Sequence, residues 1–162
     1  MTDRKGISRH AESAFDESRA VRILSEKLEE GRRIRTFFRE NDRTPNHDGF
    51  FELVTEDGVP RKQFIVQIKK TGRMTPEKKG KNKGKYVYRL ETAFLSYVKN
   101  RVTDAPAVYF TVDIDTGNIF WVYLSEAFLD SVDFEGKRSV VYAFSEQEIL
   151  RDTAEFCRAL EK

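Results

Sequence analysis

The feature that most constrains the fold is a tight pair of predicted strands in the middle of the chain. Residues 48–55 and 62–70 are both rich in aromatic and β-branched residues, and Asp57-Gly58 lies in the turn between them. This dipeptide is a strong signal for a β-hairpin. Strands joined so closely are expected to pair antiparallel. The start of the first strand, at Asp48, is then predicted to lie beside the end of the second, at Lys69.

The second strand ends in the triplet Gln67-Ile68-Lys69. Because side chains on a strand alternate between its two faces, Gln67 and Lys69 are predicted on one face, and Phe64, Val66 and Ile68 on the other. The polar face then presents an amide and an ammonium group near the carboxylate of the neighbouring strand. An amphipathic edge strand with solvated last residues would give the same pattern, so the spacing leaves both interpretations open.

The rest of the chain predicts a mixture of helices and strands in one domain. Helical spacing predicts helices over 8–30 and 88–102, and a capping-box pattern, Ser145 to Glu148, predicts a last helix from 145 onward. Further strands are predicted at 32–39, 107–113, 119–124 and 139–144, with a loop at 41–46 and a turn at 115–118. The fold class is therefore α/β (α+β). The length of 162 residues suits a single domain, 1–162. That domain is either a complete small protein or the N-terminal part of a longer chain.

Composition argues against several classes of protein. Cys157 is the single cysteine, so the chain cannot form an internal disulfide. With one cysteine and two histidines, a structural zinc site would need unusual ligands. Residues 80–85 contain Gly and Lys but lack the spacing of a phosphate-binding loop. We see neither a signal peptide nor an apolar stretch of about 20 residues that could span a membrane. A cytoplasmic location is therefore expected.

Positive charge is concentrated in the segment that follows the triplet. The net charge of the whole chain is only +2, yet within residues 70–85 the single acidic residue is Glu77. Three glycines in the segment predict a mobile loop. Because Lys and Arg neutralise phosphates, we expect the segment to contact nucleic acid, with a merely solubilising loop as the alternative. Its basic residues are Lys70, Arg73, Lys78, Lys79, Lys81, Lys83 and Lys85.

The residue types around the triplet suit metal-assisted hydrolysis of phosphodiesters. Asp48 is the predicted carboxylate ligand, and the side-chain carbonyl of Gln67 and the backbone carbonyl of Ile68 are predicted to face the same Mg²⁺ or Mn²⁺ ion. Lys69 is expected to hold the attacking water and to offset charge on the phosphate. His47 adjoins this group, but a lone histidine in this context is more typical of a loop residue.

Such a site is short of negative charge, so a second acid is expected. Glu52 lies four residues from Asp48 and nominally shares its strand face. An acid from the first helix is the other source, with Glu17 preferred and Glu12 and Glu26 as rivals. For each of these glutamates, exposure to solvent is the more common state.

The order of Asp48 and Gln67-Ile68-Lys69, with a helix before and a helix and strand after, resembles the PD-(D/E)xK nuclease superfamily. More closely, it resembles a bacterial domain-of-unknown-function family of that superfamily with an Asp-Gly and a V-Q-x-K strand. The resemblance implies an αβββαβ core like that of restriction endonucleases, here with an extra hairpin and a C-terminal helix. It also implies that Asp48 binds metal, Gln67 takes the second ligand position and Lys69 is the catalytic lysine. Most members have Asp or Glu where this chain has Gln67.

Three functions follow as hypotheses. The first, implied by the resemblance, is a Mg²⁺-dependent endonuclease that cuts double-stranded DNA as a restriction or anti-phage effector. Such a protein is expected to act as a homodimer or together with a sensor or motor module. The second is a nucleic-acid-binding module of the same fold with weak or absent catalysis. The third is a protein-interaction domain that uses the aromatic hairpin at 107–124.

Overall fold

A computed structural model describes residues 12–39, 47–100 and 104–161 of the chain. The helices are α1 (Glu12–Glu29), α2 (Thr92–Lys99), α3 (Glu126–Ser131) and α4 (Thr153–Glu161). The strands are β1 (Ile34–Phe38), β2 (Gly49–Val54), β3 (Pro60–Thr71), β4 (Tyr86–Glu91), β5 (Ala107–Asp113), β6 (Ile119–Tyr123) and β7 (Ser139–Phe144). The predicted helix start at Ser8, the loop at 41–46 and the helix end at Val102 lie outside the described residues.

Five strands form a mixed central sheet in the order β1-β2-β3-β5-β6. The β2–β3 hairpin is antiparallel, as predicted, whereas β3 runs parallel to β5. A parallel pair requires a crossover connection, and α2 lies within it. Apart from β4, which lies outside this sheet, the chain order from α1 to β5 is a helix, three strands, a helix and a strand. The predicted α/β (α+β) class is confirmed.

Both faces of the central sheet are covered, and alternation along β3 divides its side chains between them. Phe64 and Val66 are buried in a cluster that also contains residues of α1 and α4. Ile65 joins a second cluster with residues of α2, α3, β4 and β7. On the first face the rings of Phe51 and Phe64 stack with centroids 4.9 Å apart. The aromatic residues thus form the core that fixes the position of β3 in the sheet.

The predicted helix over 88–102 is wrong in its first part. Residues 86–91 form β4, which pairs antiparallel with β7 in a separate two-stranded sheet, with Tyr86 opposite Phe144. Leu90 and Phe94 have helical spacing, so apolar spacing alone extends the helical pattern of α2 back to residue 88. Tyr86 and Leu90 also fit the period of a strand, and the partner strand β7 decides between the two.

The predicted final helix begins later than the capping box suggests. Ser145 and Glu148 do form a capping box, but it closes only a 3-10 turn, Glu146–Glu148. Ile149 then bridges to Phe120, and the backbone N–H of Leu150 donates to a β6 carbonyl at 2.7 Å. Pairing with the sheet edge keeps the chain extended until α4 begins at Thr153. The short helix α3 was not predicted.

The buried carboxylate of Asp113 attaches the start of the basic segment to the end of β5. It accepts backbone N–H groups from Arg73 at 3.1 Å and Met74 at 2.8 Å, and from Asp115 and Thr116 in the β5–β6 turn. Burial acts to raise the pKa of Asp113, but these N–H donors outweigh it and hold the pKa below its ordinary value.

Beyond this attachment the basic segment closes on itself. The backbone N–H of Glu77 donates to the Lys85 carbonyl at 2.9 Å, and the N–H of Gly84 donates to the Glu77 carbonyl at 2.8 Å. The sequence predicts a mobile loop here, whereas the structure gives the segment a hydrogen-bonded turn. Two of the three glycines that suggested mobility, Gly80 and Gly84, have positive φ and serve this turn.

Replacing Asp113 with Ala is expected to destabilise the fold by about 2–4 kcal/mol, because buried N–H groups lose a charged acceptor. A carboxylate with a lowered pKa stabilises the folded state above its unfolded pKa of about 3.9 and ceases to do so as the pH falls through its folded pKa. Urea unfolding of wild type and D113A from pH 7 to pH 3 measures this. A difference in unfolding free energy that stays constant to pH 3 would contradict the assignment.

Candidate active site

Asp48 lies immediately before β2, and the backbone around it is tightly fixed. Its N–H donates to the carbonyl of Val66 at 2.9 Å, and its own carbonyl accepts the N–H of Arg39 at 3.0 Å. The next residue, Gly49, has a φ of +119°, and a Cβ placed there would come within 2.3 Å of the Phe37 carbonyl oxygen. Glycine is therefore required at this position, where β1 and β2 approach each other closely beside Asp48.

The Asp48 carboxylate joins the start of β2 to the end of β3. Its Oδ2 accepts hydrogen bonds from Gln67 Nε2 and from the backbone N–H of Ile68, each at 2.8 Å. The N–H and C=O of one strand residue point to the same edge of the strand. The Ile68 carbonyl therefore faces β2, as its N–H does. The Gln67 amide donates through its nitrogen, so its Oε1 is the atom left to face a cation.

These groups lie in a cavity of about 300 Å³ at the end of the central strands. Its walls come from α1, from the end of β1, from β3 and from β4. The lining residues are Glu17, Ala20, Val21, Arg39, Asp48, Gln67, Ile68, Lys69, Lys70, Tyr88 and Glu91. The structure thus brings together Asp48 with the whole predicted triplet and with the first residue of the basic segment.

Among the three candidate acids of α1, Glu17 lies at the cavity. It shares one face of the helix with Ala20 and Val21, at spacings of three and four residues, and both also line the cavity. The described lining does not include Glu12, and Glu26 lines a different cavity. Glu17 is near enough to the Asp48 carboxylate to act on its charge.

The structure places Glu52 away from the site. A strand rises about 3.3 Å per residue, so four residues separate Glu52 from Asp48 by about 13 Å. Its carboxylate accepts a hydrogen bond from Gln63 Nε2 at 2.7 Å, on the neighbouring strand. Two residues on the same strand face are not in contact when they are this far apart along the strand. The expectation that Glu52 is a second metal ligand is therefore corrected.

His47 has the role of a loop residue. Its Nδ1 accepts the backbone N–H of Gly49 at 3.2 Å, and its ring lies 6.5 Å from the ring of Tyr97 on α2. The described lining of the cavity does not include His47. The hydrogen bond instead supports the turn that places Asp48.

Three lining residues were missed in the sequence: Glu91, Tyr88 and Arg39. The Lys69 ammonium lies 2.8 Å from Glu91 Oε2. Glu91 and Tyr88 were assigned to a helix and therefore could not be matched to the strand that carries Lys69. The alternation of Tyr86, Tyr88 and Leu90 is the signal that would have predicted β4.

The electrostatics of the cavity come from burial and from a few nearby charges. Burial raises the pKa of Asp48 above its ordinary value, and the charge of Glu17 adds to this, although the Ile68 N–H and Lys69 act in the opposite direction. Burial also raises the pKa of Tyr88, and the charge of Glu91 contributes. The phenol of Tyr88 is therefore a hydrogen-bond donor at neutral pH.

The donor set around Asp48 suits a hard cation. Among the described residues, no three His, Cys, Asp or Glu side chains are grouped so that they could hold a metal ion. Mg²⁺, however, is usually held by one or two carboxylates and keeps several waters. The Asp48 carboxylate, Gln67 Oε1 and the Ile68 carbonyl are all oxygen donors, with Glu17 nearby as a second carboxylate. These residues fit Mg²⁺ or Mn²⁺ and do not fit a thiolate-preferring or imidazole-preferring metal.

Comparisons with known proteins give no relative for this chain. No family model matches it, and neither a curated protein nor a solved structure matches it. None of the helices within residues 12–39, 47–100 and 104–161 is long and apolar enough to cross a membrane. Inference about function therefore starts from the cavity itself.

Replacing Asp48 with Asn is expected to stabilise the folded protein by about 0.5–1 kcal/mol at pH 7. A carboxylate whose pKa is raised by folding opposes the folded state once it is charged, and Asn keeps an oxygen for the Gln67 and Ile68 donors. The gain should disappear below the unfolded pKa of about 3.9, where Asp48 is neutral in both states. Denaturant unfolding of both proteins at pH 7 and pH 3.5 checks this. A loss of stability at pH 7 would contradict the electrostatic account.

Proposed function

We propose that this chain is a metal-dependent endonuclease of the PD-(D/E)xK type that hydrolyses phosphodiester bonds in DNA. The observation that supports this most strongly is the pair of hydrogen bonds that Asp48 Oδ2 accepts from Gln67 Nε2 and the Ile68 N–H, each at 2.8 Å. They hold the carboxylate beside Gln67 and Ile68, which have the two carbonyl oxygens, and Lys69 lines the same cavity. The sequence resemblance predicts this set of groups.

Five residues of the cavity have roles in this mechanism. Asp48, Gln67 and Ile68 would hold Mg²⁺, and Glu17 would add a second carboxylate. When bound, the metal supplies a Lewis acid that polarises the phosphoryl oxygens and makes a water more acidic. The Lys69 ammonium holds the attacking water and offsets negative charge that develops on the phosphate.

The basic segment supports nucleic acid as the substrate. Lys78, Lys79, Lys81, Lys83 and Lys85 are exposed, and Lys70 lines the cavity. Asp113 holds Arg73 and Met74 beside the end of β3, so the segment starts close to the proposed catalytic groups. We propose double-stranded DNA as the substrate and a homodimer or a sensor or motor module as the partner, since cutting both strands requires two sites or two binding events. A restriction or anti-phage role follows from the resemblance and is part of the proposal.

A nucleic-acid-binding module without catalysis is the second candidate function. Gln67 supports it, because an amide contributes no charge where a carboxylate would strengthen metal binding. This candidate predicts salt-sensitive binding that requires neither Mg²⁺ nor Lys69.

Replacing Lys69 with Ala is expected to slow plasmid cleavage in Mg²⁺ or Mn²⁺ by about 100-fold or more, because the charge that stabilises the transition state is removed. D48N should have a similar effect by weakening metal binding, and EDTA should stop cleavage by the wild type. Loss of supercoiled plasmid on a gel is the measurement.

K62A is the matched control for this test. Lys62 lies on the same strand as Lys69 but is exposed near its other end, with its ammonium over the Phe64 ring. K62A should cleave like the wild type. If K69A and the wild type cleave equally, the mechanism is wrong, and if the wild type binds DNA without cutting it, the second candidate is favoured.

Changing Lys78, Lys79 and Lys81 to Gln is expected to weaken DNA binding and reduce its dependence on salt. Each phosphate contact contributes a slope of about 0.9 in a plot of log affinity against log salt, so the slope should fall by about 2–3. A gel shift or anisotropy titration in EDTA at several salt concentrations measures this. A triple variant of Arg61, Lys62 and Lys137, also to Gln, serves as the charge-matched control. Equal changes in both triple variants would indicate nonspecific attraction rather than contact by the segment.

A further inference from the structure

We propose that Glu91 is a positioning residue that holds the Lys69 ammonium in the cavity for its part in phosphodiester hydrolysis. This inference rests on the proposed function, and it assigns a role to a residue outside the Asp48 to Lys69 motif. Its basis is the 2.8 Å contact between Lys69 Nζ and Glu91 Oε2. Both side chains line the same cavity as Asp48 and Gln67.

The side chain of Glu91 contacts Lys69 and does not cap the helix that follows it. Glu91 is the residue that precedes α2, with φ of −74° and ψ of 135°, where a polar side chain usually caps the helix. Its side chain makes no such hydrogen bond to the described residues of α2. The carboxylate instead reaches across to β3 and contacts Lys69.

Tyr109, a core residue of β5, holds the backbone of Glu91. The backbone N–H of Glu91 donates to the phenol oxygen of Tyr109 at 3.1 Å, and Tyr109 is fully buried. Tyr109 lies on β5 directly opposite Gln67 of β3. The strand that carries Lys69 and the residue that contacts it are therefore held in one register by a side chain of the core.

The contact leaves Lys69 able to act. An ammonium group has three N–H donors, and the bond to Glu91 occupies one of them. The other two remain available, and in the proposed reaction they would contact the attacking water and a phosphate oxygen. A lysine has four rotatable side-chain bonds and loses much conformational freedom when it is held. Glu91 supplies that restraint before substrate arrives, at the cost of placing one negative charge near the phosphate.

Because of this negative charge, loss of Glu91 should change DNA binding and kcat in opposite directions, which general damage to the fold would not do. Removing its charge while keeping its shape, as in E91Q, should tighten DNA binding and slow the chemical step. In EDTA we expect E91Q to bind DNA about 3-fold more tightly, because one repulsive charge near the phosphate is gone. In Mg²⁺ we expect kcat to fall about 10-fold, because Lys69 is no longer oriented. E91D keeps the carboxylate and should recover part of kcat.

The decisive experiment combines kinetics with a direct view of Lys69 in the full chain. An NMR spectrum of the ¹⁵N-labelled lysine ammonium groups, with the Lys69 signal identified by its absence in K69A, is recorded without DNA or metal. The Lys69 signal should be observed in the wild type and in E91D, and it should broaden beyond detection in E91Q. E52Q is the matched control, because it removes a carboxylate charge from the central sheet, which carries Lys69, outside the cavity.

The outcomes separate this inference from the proposed function. Loss of the Lys69 signal in E91Q alone, with tighter binding and lower kcat, supports the positioning role. An unchanged Lys69 signal in E91Q overturns it, as do equal binding and kinetic changes in E52Q. If the wild type does not cleave DNA, the proposed function fails, and the Lys69 signal still decides whether Glu91 holds the lysine.

Discussion

The pairing of β3 on both of its edges is the constraint on which the rest of the structure depends. One edge is antiparallel to β2 and the other is parallel to β5. The first pairing brings Asp48 to Ile68, and the second brings Tyr109 opposite Gln67. A slip of one residue in either register would turn Gln67 and Lys69 to the opposite face, among the apolar residues that pack against α1. The geometry of the cavity is therefore a property of the sheet.

The balance of charge in the cavity follows from where each side chain originates. Asp48 comes from the start of β2, Lys69 from β3, Glu17 from α1 and Glu91 from the end of β4. Four separate elements thus contribute opposite charges to one small volume. Polar groups collected in this way oppose folding unless they are paired, and the hydrogen bonds to Asp48 and the Lys69–Glu91 contact provide the pairing.

Local pattern was sufficient to predict the elements whose periodicity is strong. The hairpin at Asp57-Gly58 and the strands β5 and β7 were predicted because alternation and turn residues are visible within a few positions. Elements that depend on a distant partner were not. The strand β4 exists because β7 pairs with it, and the capping box at Ser145 is followed by an extended chain because β6 accepts Leu150. Tertiary pairing decides these conformations, and local propensity does not predict it.

The candidate site shows the same division. Asp48 and Gln67-Ile68-Lys69 could be grouped from sequence because a single hairpin joins them. Glu17 could be named only as one of three acids, since the rotation of α1 about its axis is set by packing. Glu91 could not be found while its strand was taken as a helix, and Glu52 was included because face parity was used without distance along the strand.

The Asp113 attachment has a consequence for how the basic segment moves. Arg73 and Met74 give their amide hydrogens to a carboxylate in the core, so they belong to the same cooperative unit as β5 and should open only when that unit opens. The lysines beyond them lie in a turn that is closed by local hydrogen bonds between Glu77 and Lys85. The segment is therefore attached at both ends, to Asp113 at its start and to β4 directly after Lys85. If DNA is the substrate, as proposed, the start of this basic segment would meet it at a fixed distance from Lys69.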